Sequence, residues 1–305
     1  MHPYRLLPFL SLLAAACAPA TPSSTPATAT PAAPSVFSGE LGPYWYRGEA
    51  ELSVYDLEQA RYGELREGEA VLIQVTEPFL VGRQVKDEGG GTGEASTTVL
   101  KTNLIRRFVT GIYDYSLMTS VFTPTDGQAY PRTLKVTTSS QDWCGQSYTQ
   151  LNQAGGAEWR MQLRSYFERE GDRDERLEAD FLEDEVFNRI RIGGELPTGE
   201  FAVVPATGYL LMTHQEYRAY PARATVEPGG DSLRVYSLTY PDLDRELTVT
   251  YDLAPPYVIR EWTETYPSRD QRLTTTAKLR AQKTEPYWSE NANADLPLRA
   301  ELGLR

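Results

Sequence analysis

The sequence predicts a mainly β protein: a large antiparallel sheet or two packed sheets, with one or two short helices. Three observations carry that expectation. From Tyr44 onward, apolar and polar residues alternate with a period of two through run after run. The runs are rich in Thr, Tyr and Val, while Pro, Asp, Ser and Gly collect at the reversals between them. Helical spacing is scarce. A curved half-barrel and a two-sheet sandwich satisfy this pattern equally, with about a dozen strands in either.

The elements follow in order. Ala50, Leu52 and Val54 share one face of the first run, which assigns them to the core. Glu49, Glu51 and Ser53 share the other, which reads as a wet face. Leu65-Arg66-Glu67-Gly68 reads as a turn, with a more buried strand following over residues 70–75. Residues 86–96 hold Gly89-Gly90-Gly91 and no large apolar side chain, so they form a loop. Residues 97–108 and 112–122 pair around Thr110-Gly111, and residues 134–139 add another strand. The clearest hairpins are 233–240 with 246–251, and 257–266 with 272–283. Val186, Phe187 and Ile190 give residues 183–192 a helical period. Asp295, ahead of Pro297, suits the start of a short terminal helix.

The N-terminus assigns a compartment. Residues 6–16 are an apolar run behind Arg5, shorter than the roughly 20 residues a permanent span needs. Leu13-Ala14-Ala15-Ala16-Cys17 resembles a bacterial lipoprotein signal, in which Cys17 is acylated and becomes the new N-terminus. The expected organisation is a signal peptide over 1–16, the acylated Cys17 with an Ala/Pro/Thr/Ser tether to residue 36, and a single β domain over 37–305. No acidic cluster follows Cys17, which favours an outer-membrane anchor facing the periplasm over export to the cell surface. Acyl chains are then the membrane partner.

Composition narrows the function. The chain has 305 residues and a formal charge of −12. Such a surface repels phosphate backbones and argues against nucleic acid as a partner. With Cys17 lipidated, Cys144 has no disulfide partner. No CxxC or HxxxH spacing calls for a metal, and no cofactor motif is present.

Few residues stand out chemically. His214 is the single histidine beyond the leader and, without a G-x-S-x-G elbow, reads as a histidine with a local hydrogen bond. In Asp142-Trp143-Cys144-Gly145 the acid disfavours a reactive thiolate, so the cysteine reads as a buried, inert thiol beside a core tryptophan. The clusters Asp172/Asp174/Glu175 and Glu183/Asp184/Glu185 read as a solvated loop and the N-terminal turn of a helix. Aromatics are more suggestive, with 19 Tyr and 5 Trp in the chain. Tyr44, Trp45, Tyr46, Tyr113, Tyr115, Trp143, Tyr287 and Trp288 are the candidates to line a groove, although sheets also use tyrosine as a routine cross-strand residue.

Three stretches carry a family resemblance: YWYRGEAELSVYDLEQARYGELREGEAVLIQVTEPF from Tyr44, GIYDYSLMTSVF from Gly111, and SSQDWCGQSYTQLN from Ser139. The match continues through EWTETY from Glu261 and Pro286-Tyr287-Trp288. They resemble a family of Bacteroidota envelope lipoproteins whose members often carry the automatic name "septum formation inhibitor Maf". The Ser-x-Ser-Pro-Arg-Arg motif of true Maf pyrophosphatases is not in this sequence, so the name implies no such activity. The resemblance implies an envelope location and carries over no catalytic residue. The expected function is non-enzymatic binding of an apolar ligand or an envelope partner. The alternatives are a scaffold lipoprotein without a pocket and a hydrolase with two carboxylates across a cleft.

Overall fold

The computed structural model describes residues 41–91, 93–193 and 196–304. The leader, Cys17 and the tether lie outside the described residues. Strands β1 (Ala50–Arg61), β2 (Glu64–Leu80), β3 (Val85–Lys86), β4 (Ser96–Thr110) and β5 (Tyr113–Pro124) open the chain. They are followed by β6 (Lys135–Gln141), β7 (Gln146–Gly155), β8 (Glu158–Ser165) and β9 (Arg173–Glu178). After β10 (Phe181–Leu182) come a 3₁₀ turn (Glu183–Glu185) and helix α1 (Val186–Arg191). Strand β11 (Gly199–Val204), helix α2 (Thr207–Thr213), β12 (Tyr220–Pro228), β13 (Leu233–Tyr240) and β14 (Arg245–Asp252) continue it. The chain closes with β15 (Ile259–Ser268), β16 (Gln271–Glu285) and α3 (Pro297–Glu301).

All sixteen strands of the described residues belong to one sheet, in the order β10-β11-β12-β13-β14-β15-β16-β1-β2-β4-β5-β6-β7-β8-β9, with β3 paired to β2. Every pairing is antiparallel except the short β10–β11 ladder. The ladder does not close into a barrel. Of the two architectures left open by the sequence, the single curved sheet is the one present.

Two observations establish the curvature. Laid flat, β8 and β11 would lie roughly 60 Å apart at about 4.8 Å per strand. Yet Trp159, Met161 and Leu163 of β8 share a core cluster with Val204 of β11. In addition, only Ala179 and Asp180 separate the two edge strands β9 and β10 in the chain. The sheet therefore curls until its edges meet in sequence without pairing.

The residues after β10 fill the space inside the curl. Val186 and Ile190 of α1 and Met212 of α2 pack against Tyr55, Leu72, Phe108, Tyr236 and Trp262 from across the sheet. Polar side chains fix this filling in register. Glu183 takes a two-pronged pair from Arg245, Nη1 to Oε2 and Nη2 to Oε1 both at 2.5 Å, and Tyr240 donates to it at 2.6 Å. Arg245 also reaches Glu264 at 3.4 Å, and Arg106 grips the other oxygen of Glu264 at 2.6 Å. Glu185 accepts from Thr133 at 2.8 Å and pairs with Arg189, while Arg191 pairs with Glu51 of β1. Asn188 donates to Leu100 O and Thr123 Oγ1, each at 2.9 Å.

This arrangement corrects several expectations. The acidic Glu183 turn does open α1 as expected, and it is buried there because Glu183 answers Arg245 on the sheet's inner face. The assumed wet face of β1 is the inner one: Glu51, Ser53, Tyr55, Leu57 and Gln59 point inward. The assumed core face, Ala50 and Leu52, lies outside under Leu302 at the end of α3. Gly68 sits within β2, where a Cβ would come within 2.3 Å of Arg107 O, and the turn falls instead at Tyr62-Gly63. Trp143 is 68% exposed and Cys144 is exposed, so neither belongs to the core.

Removing one partner of a buried ion pair strands the other charge, which costs about 3–5 kcal/mol, against about 0–1 for an exposed pair. Glu183→Ala is therefore expected to lower the unfolding free energy in denaturant titration by about 3–5 kcal/mol. Disrupting the exposed Arg260–Asp252 pair through Arg260→Ala should change it by less than about 1 kcal/mol.

Candidate functional site

Because consecutive strands pair as hairpins, their turns gather on two rims. One rim carries the turns β1–β2, β4–β5, β6–β7, β13–β14 and β15–β16. The other carries the entry to β1 and the exit from β16, since Ala50 pairs with Glu285.

On the hairpin rim lies a half-open cleft of about 360 Å³, within the size range of small-molecule sites. Its walls are the β1–β2 turn (Arg61, Tyr62), the C-terminal end of α2 (Met212, Thr213, His214), the β13–β14 turn (Asp242, Leu243) and the β15–β16 turn (Ser268, Arg269). Tyr209 and Tyr266, edge to face at 5.4 Å, line it from the core side.

Three of these residues sit in left-handed backbone without being glycine: Tyr62 (φ 56°), His214 (φ 56°) and Arg269 (φ 56°). Tyr62-Gly63 is a two-residue hairpin turn with positive φ at both positions, where Asn-Gly is the ordinary solution. His214 takes the left-handed position after α2 that glycine usually occupies. Each such residue costs on the order of 1 kcal/mol or more, and such costs cluster at working sites.

The side chains interlock. Arg61 donates to Met212 O at the end of α2, and its Nη2 donates to the hydroxyls of Tyr62 and Tyr115, both at 3.1 Å. The two phenols share a 2.7 Å hydrogen bond. The Arg61 guanidinium stacks 4.1 Å from the Tyr62 ring centre, and that of Arg269 lies 5.5 Å from the same ring. Gly63 N donates to Ser268 Oγ at 2.9 Å, tying the two turns together. Burial would raise the Tyr62 phenol, but the Tyr115 hydroxyl and the Arg61 charge outweigh it, holding Tyr62 below the usual phenol range. Tyr115 moves the opposite way, pushed up first by burial and then by Tyr62. Nδ1 of His214 meets Glu170 Oε1 at 2.7 Å, and its ring lies edge to face on Phe167.

The aromatics singled out from sequence do not converge on one groove. Tyr115 joins the cleft network, with Tyr113 beside it at 5.8 Å. Trp143 lies on the same rim and donates to Asp114 at 2.8 Å, and Gly145 is needed because a Cβ there would meet the Tyr166 ring at 2.7 Å. Tyr44, Trp45, Tyr46, Tyr287 and Trp288 are at the other rim. There Tyr44 donates to Glu51, and Trp45 lies under Arg191 at 5.0 Å, so both serve the buried ion pair. Tyr46, Tyr287 and Trp288 are exposed. Arg61, Tyr62 and Arg269 escaped the sequence reading. The Tyr62-Gly63 dipeptide between two alternating runs was the available signal.

Other openings are chemically different. A cavity of about 40 Å³ under the sheet, lined by Arg106, Thr119, Glu183, Asp184 and Glu264, has room for little more than water. A broad polar groove on β7–β9 includes Asp174 and Glu175, already held by Arg164 and Arg173. Among the described residues, no group of three His, Cys, Asp or Glu side chains is placed to hold a metal. The Asp142 carboxylate beside it raises the exposed Cys144 thiol.

Compared with known proteins, the chain matches no family model, no curated protein sequence and no solved structure. Function must therefore be argued from the site.

Asp184 faces the small cavity and accepts from Thr207 N and Oγ1, both at 2.9 Å. Burial raises its carboxyl to about 7. The folded protein then holds a proton that the unfolded chain releases near pH 4, so this group's contribution to stability falls as pH rises from about 4 to 7 and levels off above. Asp184→Asn keeps an acceptor for Thr207 N. The stability difference between variant and parent, measured by denaturant titration, should grow in the variant's favour across that window.

Proposed function

We propose that this chain is a cell-envelope protein, lipid-anchored at Cys17, that acts by binding and takes its ligand in the hairpin-rim cleft. The supporting observation is where space remains. The concave face, where an apolar ligand would be expected on a curved sheet, is occupied by the chain's own 3₁₀ turn, α1 and α2. The rim cleft is large enough for a small molecule, is half apolar, and is walled by side chains held in costly backbone conformations. A glycosidase-type hydrolase needs two carboxylates facing across a cleft, and here Asp242 is the single carboxylate in the lining. Binding therefore fits the geometry better than catalysis.

A partner-binding reading has one observation of its own. Ile112, 83% exposed, Trp143 and Tyr166 stand on the same rim without apolar cover. The two readings predict different masses. Native mass spectrometry of the lipidated protein, purified from membranes in mild detergent, should show a small molecule lost on denaturation. Thr213→Trp, which fills the cleft, should abolish that added mass. Retention of the molecule by the variant would remove the cleft as its site, and a stoichiometric protein in place of a small molecule would favour the partner reading.

A further inference from the structure

We infer that the rim cleft selects an oxyanion, a carboxylate or phosphate attached to a ring or other apolar body; this rests on the cleft being a ligand site. The argument starts from charge pairing. The buried arginines Arg106, Arg189, Arg191 and Arg245 each face a carboxylate. Arg61 is largely enclosed as well, yet its hydrogen-bond partners are a main-chain carbonyl and two phenols. None of these cancels its charge while the phenols keep their protons. Burial alone would lower Arg61, but the phenols more than offset it, and the guanidinium stays charged.

Arg269 adds a second, exposed guanidinium. Among the described residues, neither it nor Arg61 has a carboxylate within ion-pair distance. The cleft lining thus carries two arginines against one acid, Asp242, in a chain whose net charge is −12. The Tyr62 hydroxyl supplies a donor polarised by Arg61, and such charge-assisted bonds to oxyanions are the strong ones. The rings of Tyr62 and Tyr209 and the side chain of Met212 offer an apolar surface beside those donors. A planar anion with an apolar body matches both halves. The anion can belong to a soluble metabolite or to a lipid headgroup, and the chemistry at the arginines is the same.

The test uses the full lipidated protein in neutral detergent, titrated calorimetrically with phenyl phosphate, benzoate, inorganic phosphate and the neutral benzyl alcohol. Parallel sedimentation uses phosphatidylglycerol and phosphatidylcholine vesicles. The anions should bind and benzyl alcohol should not, with affinity falling as salt rises. Arg269→Gln, at an exposed turn, should weaken the anion by about tenfold without changing the melting temperature. Tighter binding to phosphatidylglycerol than to phosphatidylcholine vesicles, which the acyl anchor alone would not distinguish, without binding to phenyl phosphate, would assign the anion to a lipid headgroup. Equal binding of benzyl alcohol, or no anion binding up to millimolar concentration, would overturn the inference and leave the cleft reading to the native mass measurement. Anion binding unaffected by both Arg269→Gln and Thr213→Trp would place the anion elsewhere and overturn both.

Discussion

The buried chain Glu183–Arg245–Glu264–Arg106 is the constraint on which the rest of the structure depends. A sheet this long has no pairing to hold its curl, because its two edges are joined in sequence by Ala179-Asp180 and not by a ladder. Something inside must set the curvature. An apolar filling alone would tolerate sliding by a turn, since dispersion and burial are non-directional. Charges are not tolerant: Glu183 must find Arg245 on β14, Glu185 must find Thr133, and Arg191 must find Glu51 on β1. Burial alone would raise the Glu264 carboxyl, but Arg106 and Arg245 more than reverse this and hold it ionised. A hydroxyl relay, Thr119 to Thr138 at 2.8 Å and Thr138 to Thr207 at 2.6 Å, ties α2 to the same inner face. The curl is thus set by side chains whose desolvation makes any other register expensive.

The same constraint explains what the sequence could and could not show. Local elements were legible: the hairpins at β13–β14 and β15–β16, the helix at α1 and the Gly89 loop all depend on residues near in sequence. The facing of β1 was not. Period two separates Ala50, Leu52 and Val54 from Glu51, Ser53 and Tyr55, but it does not say which set is inside when the polar set has buried partners far along the chain. The burial of the acidic Glu183 turn was hidden for the same reason. Its answer, Arg245, lies 62 residues away, and no local pattern announces it.

At the rim the failure was one of turn chemistry. Placing the β1–β2 turn at Gly68 instead of Gly63 put Tyr62 inside a strand and hid it. Gly68 is demanded by close packing against β4, and Gly63 by backbone sign, so two glycines five residues apart had unrelated reasons. Tyr115 was found because it belongs to an aromatic pair. Its meaning came only with Arg61, which the fold brings to it from 54 positions away.

Why an arginine should be partnered by phenols is the remaining step. A carboxylate beside Arg61 would have steadied the turn more strongly and would have neutralised it. Phenols hold the guanidinium's geometry through hydrogen bonds and ring faces, at 4.1 Å for Tyr62 and 5.1 Å for Tyr115, while leaving the charge in place. In a chain of this acidity, a negatively charged ligand approaches against a general repulsion and gains only where cations stand unneutralised. The left-handed Tyr62 and Arg269 bring such groups onto one wall, in turns where Asn or Gly would have been conformationally cheaper but chemically silent.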